Sequence, residues 1–462
     1  MTAPRFTATE LVQATGGRFE GPPPGEVVGV STDTRRIASG NAFVALRGEH
    51  FDAHDFVADA ARAGAACAVV EAGRAAGLAG TLPLLAVPEP LAALGAIARH
   101  HRRRFPVPVV GVTGSNGKTT TREMIAAILA TRGPVLSSEG NLNNEVGVPL
   151  TLLRLGPEHV AAVVEMGMSH AGEIARLAAI AEPRVGVVTN ASAAHLHGLG
   201  TVDAVASAKA ELYRGLPPDG IVVANLDDPR MMERARKSGR RVVTFAVGRD
   251  RKADVAVLEV VSRGADGQSL VLGVGTKELS VELSLVGAHN AANAAAAAAA
   301  AVALGSSDRE VVRGLAAVRP VGRRLRLSRL ASGALLVDDC YNANPASMAA
   351  ALATLAGLAR GGRAIAALGD MLELGEAEPE AHRELGRLAA ATGLEALATF
   401  GPRSRLAHEA ALAAGLDPAR AFHTEDPSEL AAFVRPRLGP GDVLLVKASR
   451  GMRLERLVEA LR

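Results

Sequence analysis

The stretch Val109-Val-Gly-Val-Thr-Gly-Ser-Asn-Gly-Lys-Thr-Thr120 decides the fold. Its first four residues form a short apolar run that reads as a buried strand. Gly114 and Gly117 then interrupt it, and a helical pattern follows from Thr119. Strand, glycine-rich loop and helix in that order make a phosphate cradle. Glycines let backbone N–H groups approach phosphate oxygens, Lys118 supplies a point charge, and Thr119 offers a hydroxyl to Mg²⁺ at a helix N-terminus, where the helix dipole favours anions. The strict GxxxxGK[ST] text fails at one place, because Val112 stands where the first glycine would be.

Working outward, further strand signals follow at Ala161-Ala-Val-Val164, Val185-Gly-Val-Val188 and Gly220-Ile-Val-Val-Ala224, with helical segments between them. Such alternation predicts a parallel, doubly wound sheet. From Val255 to Leu285 the periodicity is β without helices, and an alanine-rich helix from Ala291 to Leu304 follows. Before the loop, residues 1–88 read as a small α/β module, with a helix over Ala8 to Thr15, strands at Val27–Val30 and Ala42–Leu46, and a helix then strand ending at Cys67-Ala-Val-Val70. After the break at Val318-Arg-Pro-Val-Gly322, strands at Ala334–Val337, Ala364–Leu368 and Val443–Val446 alternate with helices near 346–360, 379–392 and 404–414. This is a second, Rossmann-like α/β sheet that lacks GxGxxG, so dinucleotide binding has no support. The predicted fold is α/β in three domains: an N-terminal module over 1–88, a central P-loop parallel-sheet domain over 89–318, and a C-terminal Rossmann-like domain over 319–462.

Composition bounds the function. A chain of 462 residues exceeds one typical core, and 48% hydrophobic with 21% charged residues is ordinary for a globular protein. The net charge of +3 is spread along the chain, and aromatics at 3% with no Trp leave few stacking platforms, which argues against nucleic acid. The basic run His100-His-Arg-Arg-Arg104 reads as a solvated linker. Cys67 and Cys340 lack CxxC spacing, so neither disulfides nor a zinc site is expected, and a reducing compartment fits. The N-terminal residues lack the apolar core of a signal peptide, and the alanine run is too short and too weakly hydrophobic to span a membrane, so a cytoplasmic location is expected.

The form Thr113-Gly114-x-x-Gly117-Lys118-Thr119 resembles the ATP-binding loop of the Mur ligase family, which also includes the folylpolyglutamate synthases. The resemblance implies ATP contacts from Thr113, Gly114, Ser115, Asn116, Gly117, Lys118, Thr119 and Thr120. Gly140-Asn-Leu-Asn-Asn-Glu-Val-Gly-Val-Pro149 is similar to the family's second signature, which assigns Asn141, Asn143 and Asn144 to substrate; by itself it reads as a polar loop. Glu165 ends a strand, where α/β sheets place ligands, and suits an Mg²⁺ ligand. The resemblance adds His195 for a second Mg²⁺, and Lys209, which many family members carry as a carbamate; taken alone, Lys209 reads as a solvated helix lysine. It also implies adenine-side roles for Asn290 and Asn293. By the same resemblance Arg323 would meet the ATP phosphates, with the register against Arg324 left open. Asp339 would bind ribose, and Tyr341 and Asn342 would flank the base. Cys340 reads as a packed thiol. The catalytic set is then Lys118, Glu165, His195, Lys209 and Arg323.

Gly369-Asp-Met-Leu-Glu-Leu-Gly375 and Lys447-Ala-Ser-Arg-Gly451 resemble one branch of the family, and so do Ser31-Thr-Asp-Thr-Arg35, Phe43-Val-Ala-Leu-x-Gly48 and Phe51-Asp-Ala-His54 at the N-terminus. That branch adds D-alanyl-D-alanine to UDP-N-acetylmuramoyl-tripeptide. The resemblance implies that Ser31, Asp33, Thr34, Arg35 and His54 bind the UDP substrate, that ATP and a pair of Mg²⁺ ions take part, and that the chain works as a monomer. A folylpolyglutamate synthase, or another Mur ligase with a different acceptor, is the rival enzyme; the UDP-side text at 31–54 disfavours the folate reading. A nucleotide-dependent scaffold is the second rival, disfavoured by the retained Glu165, His195 and Lys209.

Overall fold

The computed structural model describes residues 3–48, 51–193 and 196–462. Three α/β units follow one another along the chain, each around its own main sheet. The first sheet has five strands in the spatial order Arg18–Glu20, Leu84–Val87, Cys67–Glu71, Ala42–Val44, Val30–Ser31. The single strand expected at 27–30 is divided by Gly29, whose φ of 84° needs a residue without Cβ. Val27–Val28 instead pairs antiparallel with Arg5–Phe6, and Val30–Ser31 joins the main sheet. The helix Ala8–Thr15 forms where expected, closed by a Thr7/Glu10 capping box and ended by Gly16 in the left-handed region.

The helix Pro90–Arg102 joins this unit to the next, and its buried face packs into a core shared by both. The basic run at its end is therefore not a solvated linker. His101 is buried with Nε2 2.9 Å from the Leu155 carbonyl, and Arg102 donates from Nε to the carbonyl of Ala181. Arg103 pairs with Glu182, while Arg104 reaches the Arg5 carbonyl and Glu10. Helix-end carbonyls and carboxylates thus absorb charges that the sequence alone leaves to water.

The central sheet has nine strands. Its parallel part carries Val109–Thr113 between Ala161–Glu165 and Val185–Val188, with Ile221–Asn225 and Arg241–Val247 beyond and Val135–Ser137 at the edge. Val255–Ser262 adds in parallel, and Gln268–Val274 and Lys277–Leu283 extend the sheet as antiparallel hairpins, which accounts for the helix-free periodicity there. The alanine-rich helix is His289–Ala303, buried over most of its length. Its small side chains permit close approach to the helix Lys118–Leu129 and to the sheet.

The last sheet runs Arg326–Arg329, Leu335–Asp338, Val443–Lys447, Ala364–Gly369, Ala396–Phe400, Ala421–Thr424, parallel except for its first pair. In both larger sheets the carboxyl ends of neighbouring strands carry the polar loops, and these loops face each other across one cleft.

Candidate active site

The loop after Val109–Thr113 is built so that only glycine fits at two points. A Cβ on Gly114, at φ 152°, would lie 1.8 Å from Thr189 Oγ1, and one on Gly117, at φ 81°, would lie 2.2 Å from Asn293 Oδ1. The end of the neighbouring strand holds the loop in place. Ser115 N–H donates to the Asn190 carbonyl at 2.9 Å, Asn116 N–H to Asn190 Oδ1 at 3.1 Å, and Thr189 Oγ1 to the Asn116 carbonyl at 2.6 Å. Lys118 folds back over the loop, donating from Nζ to the Gly114 carbonyl at 2.8 Å. Burial holds its ammonium pKa below the ordinary lysine range; Glu165 opposes that shift and Arg324 adds to it.

Glu165 closes its strand only 2% exposed. Its Oε2 accepts from Thr119 Oγ1 at 2.8 Å and its Oε1 from Asn143 Nδ2 at 2.9 Å, while its backbone N–H donates to Ser138 Oγ at 3.0 Å. A hydroxyl and a carboxylate therefore meet at the mouth of the phosphate loop, both hard oxygen donors of the kind Mg²⁺ takes. Among the described residues no group of three or more His, Cys, Asp or Glu side chains is placed to hold a metal ion. The Thr119 hydroxyl and Glu165 carboxylate suit an Mg²⁺ bound by few protein oxygens and completed by phosphate and water, as that ion usually is.

The cleft has a volume of about 1010 Å³. Residues 115–120, Asn141, Asn143, Asn144, Glu165, Asn290 and Asn293 line it from the central unit, and Asp339, Tyr341 and Asn342 from the C-terminal one. The two sides touch: Asn344 Nδ2 donates to Asn116 Oδ1 at 2.8 Å. Asn290 and Asn293 are linked to each other at 2.9 Å, which turns Asn293 Oδ1 toward Gly117. Asp339 accepts from Leu325 N–H at 3.0 Å and from Lys447 Nζ at 2.7 Å, and the same Lys447 reaches the Asn342 carbonyl at 2.9 Å. His289 lines the cleft nearby.

Several expected positions depart from this picture. Arg323 does not line the cleft; it pairs with Asp338 at 2.8 Å and Glu459 at 3.1 Å. Arg324 enters instead, its guanidinium 3.7 Å above the Tyr341 ring. Just after the two arginines, Leu325 takes the left-handed region at φ 49°. His54 is a structural residue: buried, it holds Asp52 Oδ1 through Nδ1 at 2.6 Å and accepts from Glu71 N–H through Nε2 at 3.0 Å, so neither ring nitrogen is left for a ligand. Ser31, Asp33, Thr34 and Arg35 form a turn on the N-terminal sheet, with Asp33 capping Arg35 N–H and gripping its guanidinium at 2.9 and 2.8 Å. They do not line the cleft. Nor do Thr113 and Gly114, which shape the loop from behind.

Lys209 is not a solvated helix lysine. It is 1% exposed at the end of Val202–Lys209, and burial with the nearby Lys118 charge holds its pKa well below the ordinary range. His195 lies outside the described residues. Asn344 and Lys447 are cleft residues that the sequence does not single out, and Arg324 is the one of the two arginines left open that lines the cleft. For Lys447 a usable signal existed, since it ends a central apolar strand in an α/β sheet.

Comparison with known proteins bears on this arrangement as a whole. Family models match residues 26–102 (Mur ligase family, catalytic domain), 112–301 (Mur ligase middle domain) and 323–450 (Mur ligase, glutamate ligase domain). A UDP-N-acetylmuramoyl-tripeptide–D-alanyl-D-alanine ligase of Escherichia coli is 38% identical over 94% of this chain and 93% of its own. The crystal structure of MurF from Acinetobacter baumannii superposes with a TM-score of 0.91 at 34% identity, covering 100% of this chain and 99% of that one. MurF ligase from Thermotoga maritima in complex with ADP gives a TM-score of 0.83 at 29% identity, covering 94% of this chain and 96% of that one. With the models spanning all three sheets and a relative of this identity aligned nearly end to end, the chain belongs to the Mur ligase family.

Proposed function

We propose that this chain is an ATP-dependent, ADP-forming amide ligase that joins D-alanyl-D-alanine to the free carboxylate of a UDP-N-acetylmuramoyl-tripeptide. One observation carries the chemistry: a phosphate loop with Thr119 and Glu165 at its mouth faces Arg324, Asp339 and Lys447 across a single cleft. Near-full-length similarity to ligases bearing that name supports the choice of substrates. The sequence divides for this work into a UDP-side unit over 1–88, an ATP-side unit over 89–318 and a closing unit over 319–462.

A carboxylate is a poor acylating agent at neutral pH, so its oxygen first attacks the γ-phosphorus of ATP, releasing ADP and leaving an acyl phosphate. The dipeptide amine then attacks the acyl carbon, loses a proton, and phosphate departs. Lys118 and Arg324 face the phosphates as fixed cations, stabilising charge as it shifts onto the leaving oxygen. Asp339, held by Lys447, presents a carboxylate oxygen to the ribose hydroxyls, with Tyr341 and Asn342 beside the base and Asn290 and Asn293 backing the loop. Asn141, Asn143 and Asn144 approach the acceptor side. Thr119 and Glu165 would hold Mg²⁺, with His195 and a carbamate on Lys209 at a second ion; bound there, Mg²⁺ neutralises phosphate charge. No protein nucleophile is needed. In this reading the enzyme works as a monomer in the cytoplasm, where ATP is available.

The test is phosphate release with ATP, D-alanyl-D-alanine and UDP-muramoyl-tripeptide bearing either diaminopimelate or lysine. Release that needs both acceptor and donor is expected. No release with either tripeptide defeats the reading.

A further inference from the structure

Behind Glu165 lies a charge that the reaction does not require. Arg122 is on the helix Lys118–Leu129, one turn after the phosphate loop, and is only 1% exposed. Arginine almost never reaches such burial without full pairing, because desolvating a guanidinium costs several kcal/mol. Its pairing here is incomplete. One terminal nitrogen donates to the Ser138 carbonyl and the other to Glu123, but Nε is buried without a hydrogen-bond partner. That nitrogen is 4.0 Å from Glu165 Oε2, roughly 1 Å beyond hydrogen-bond length.

The contacts form a closed loop around one carboxylate. Arg122 holds the Ser138 carbonyl, Ser138 Oγ accepts the Glu165 backbone N–H, and Glu165 Oε2 accepts from Thr119, which stands on the same helix as Arg122. The end of the glutamate's strand and the start of the helix are thereby fixed to each other, and the carboxylate has a fixed cation at its back.

We infer that Arg122 is a positioning residue that aims the Glu165 carboxylate at the metal and phosphate side of the loop. Groups that orient a metal's ligands typically change affinity or activity about 10- to 100-fold when removed. The inference rests on Glu165 serving the nucleotide-bound cation, as proposed above. An Arg122→Lys change keeps the charge but not the geometry that spans Ser138 and Glu123, whereas Arg122→Met keeps the bulk and removes the charge.

The experiment is a Mn²⁺ titration by electron paramagnetic resonance in the presence of ADP on wild type, Arg122→Lys, Arg122→Met and Glu165→Gln, with ATP KM, UDP-tripeptide KM and kcat measured alongside. Expected is about a tenfold weaker Mn²⁺·ADP affinity in Arg122→Met, partial recovery in Arg122→Lys, and an unchanged KM for the UDP-tripeptide. Wild-type Mn²⁺ affinity in Arg122→Met, with Glu165→Gln weakened, overturns the role of Arg122 alone. Wild-type affinity in Glu165→Gln overturns the metal reading of Glu165 instead. If Arg122→Met fails to fold, Arg122→Lys decides: binding equal to wild type overturns the inference, weakened binding with an unchanged melting temperature supports it.

Discussion

Asn344 of the C-terminal unit donates from Nδ2 to Oδ1 of Asn116 in the phosphate loop at 2.8 Å, tying the two faces of the cleft to each other. Its Oδ1 accepts from Ser347 N–H and caps the helix Pro345–Leu358. The two duties can be separated. Serine is as good a cap as asparagine but too short to span the cleft, while alanine loses both. Asn344→Ser is expected to keep the melting temperature and raise the ATP KM several-fold; Asn344→Ala should in addition lose about 1 kcal/mol of stability. Equal ATP KM values for wild type and Asn344→Ser would show that the bridge does not serve closure.

Lys118 is half-buried against two loop carbonyls, so its removal takes away a partly desolvated cation rather than a packing element. Lys118→Ala is expected to lower kcat for ATP-dependent ligation by 10²-fold or more, the scale of losing one fixed charge-stabilising donor, with a melting temperature within a few degrees of wild type. Turnover near the wild-type rate in a folded Lys118→Ala protein sinks the phosphate-loop assignment.

Adjacent arginines give a direct contrast. Arg324 enters the cleft over Tyr341, and Arg323 ties Asp338 to Glu459 outside it. Arg324→Ala should therefore cost ~10²-fold in kcat/KM for ATP, whereas Arg323→Ala should leave kcat within a factor of a few and act on stability. A steady-state comparison of the two variants decides, and the reverse ranking would restore Arg323 to the phosphates.

Much of this site was legible because its parts sit at strand ends, where a linear sequence marks them. Phosphate loop, Glu165 and Asp339 each follow an apolar run, and the structure gathers all three around one cleft. What was not legible depends on direction or on distant partners. Arg323 and Arg324 are chemically identical in text, and only the folded chain separates them: Arg324 enters the cleft over Tyr341 while Arg323 pairs with Asp338 and Glu459. His54 looked available because nothing local shows that Glu71, seventeen residues on, uses its Nε2. Lys447 meets Asp339 across 108 residues, a pairing that only the parallel strands Leu335–Asp338 and Val443–Lys447 create. The strand Val135–Ser137 is three residues long and lies at the sheet edge, too short for periodicity to announce it.

Acid should weaken a second tie, between the helix Asp308–Ala317 and the end of Lys118–Leu129. Glu310 is held at a pKa of about 2, against 4.5 unperturbed, by hydrogen bonds from Arg132 and from the Ser307 cap. A carboxyl depressed in the folded state stabilises above its unfolded pKa and loses that contribution as pH falls toward the folded value. The contribution is thus full above pH 4.5 and lost between 4.5 and about 2. Glu310→Gln keeps the capping geometry and removes the charge. The gap in urea midpoint between wild type and Glu310→Gln should be largest at neutral pH and shrink through that window; a gap that widens as pH falls would contradict the assignment.

Lys209 offers the sharpest test of the second ion. It is 1% exposed, no carboxylate among the described residues lies within ion-pair distance, and the charge acting on it is the like charge of Lys118. A buried ammonium with no counter-charge is an arrangement proteins avoid. Addition of CO₂ to the uncharged amine, with loss of one proton, replaces it with an anionic carbamate, which suits a site between a lysine and bound cations. Two outcomes follow. Protein equilibrated with ¹³C-bicarbonate should show a carbamate carbonyl resonance that Lys209→Met lacks, and Lys209→Met should lose on the order of 10²-fold in kcat, the upper range for groups that support a metal site. A missing resonance together with wild-type turnover in Lys209→Met would leave Lys209 as a buried neutral amine with no part in the reaction.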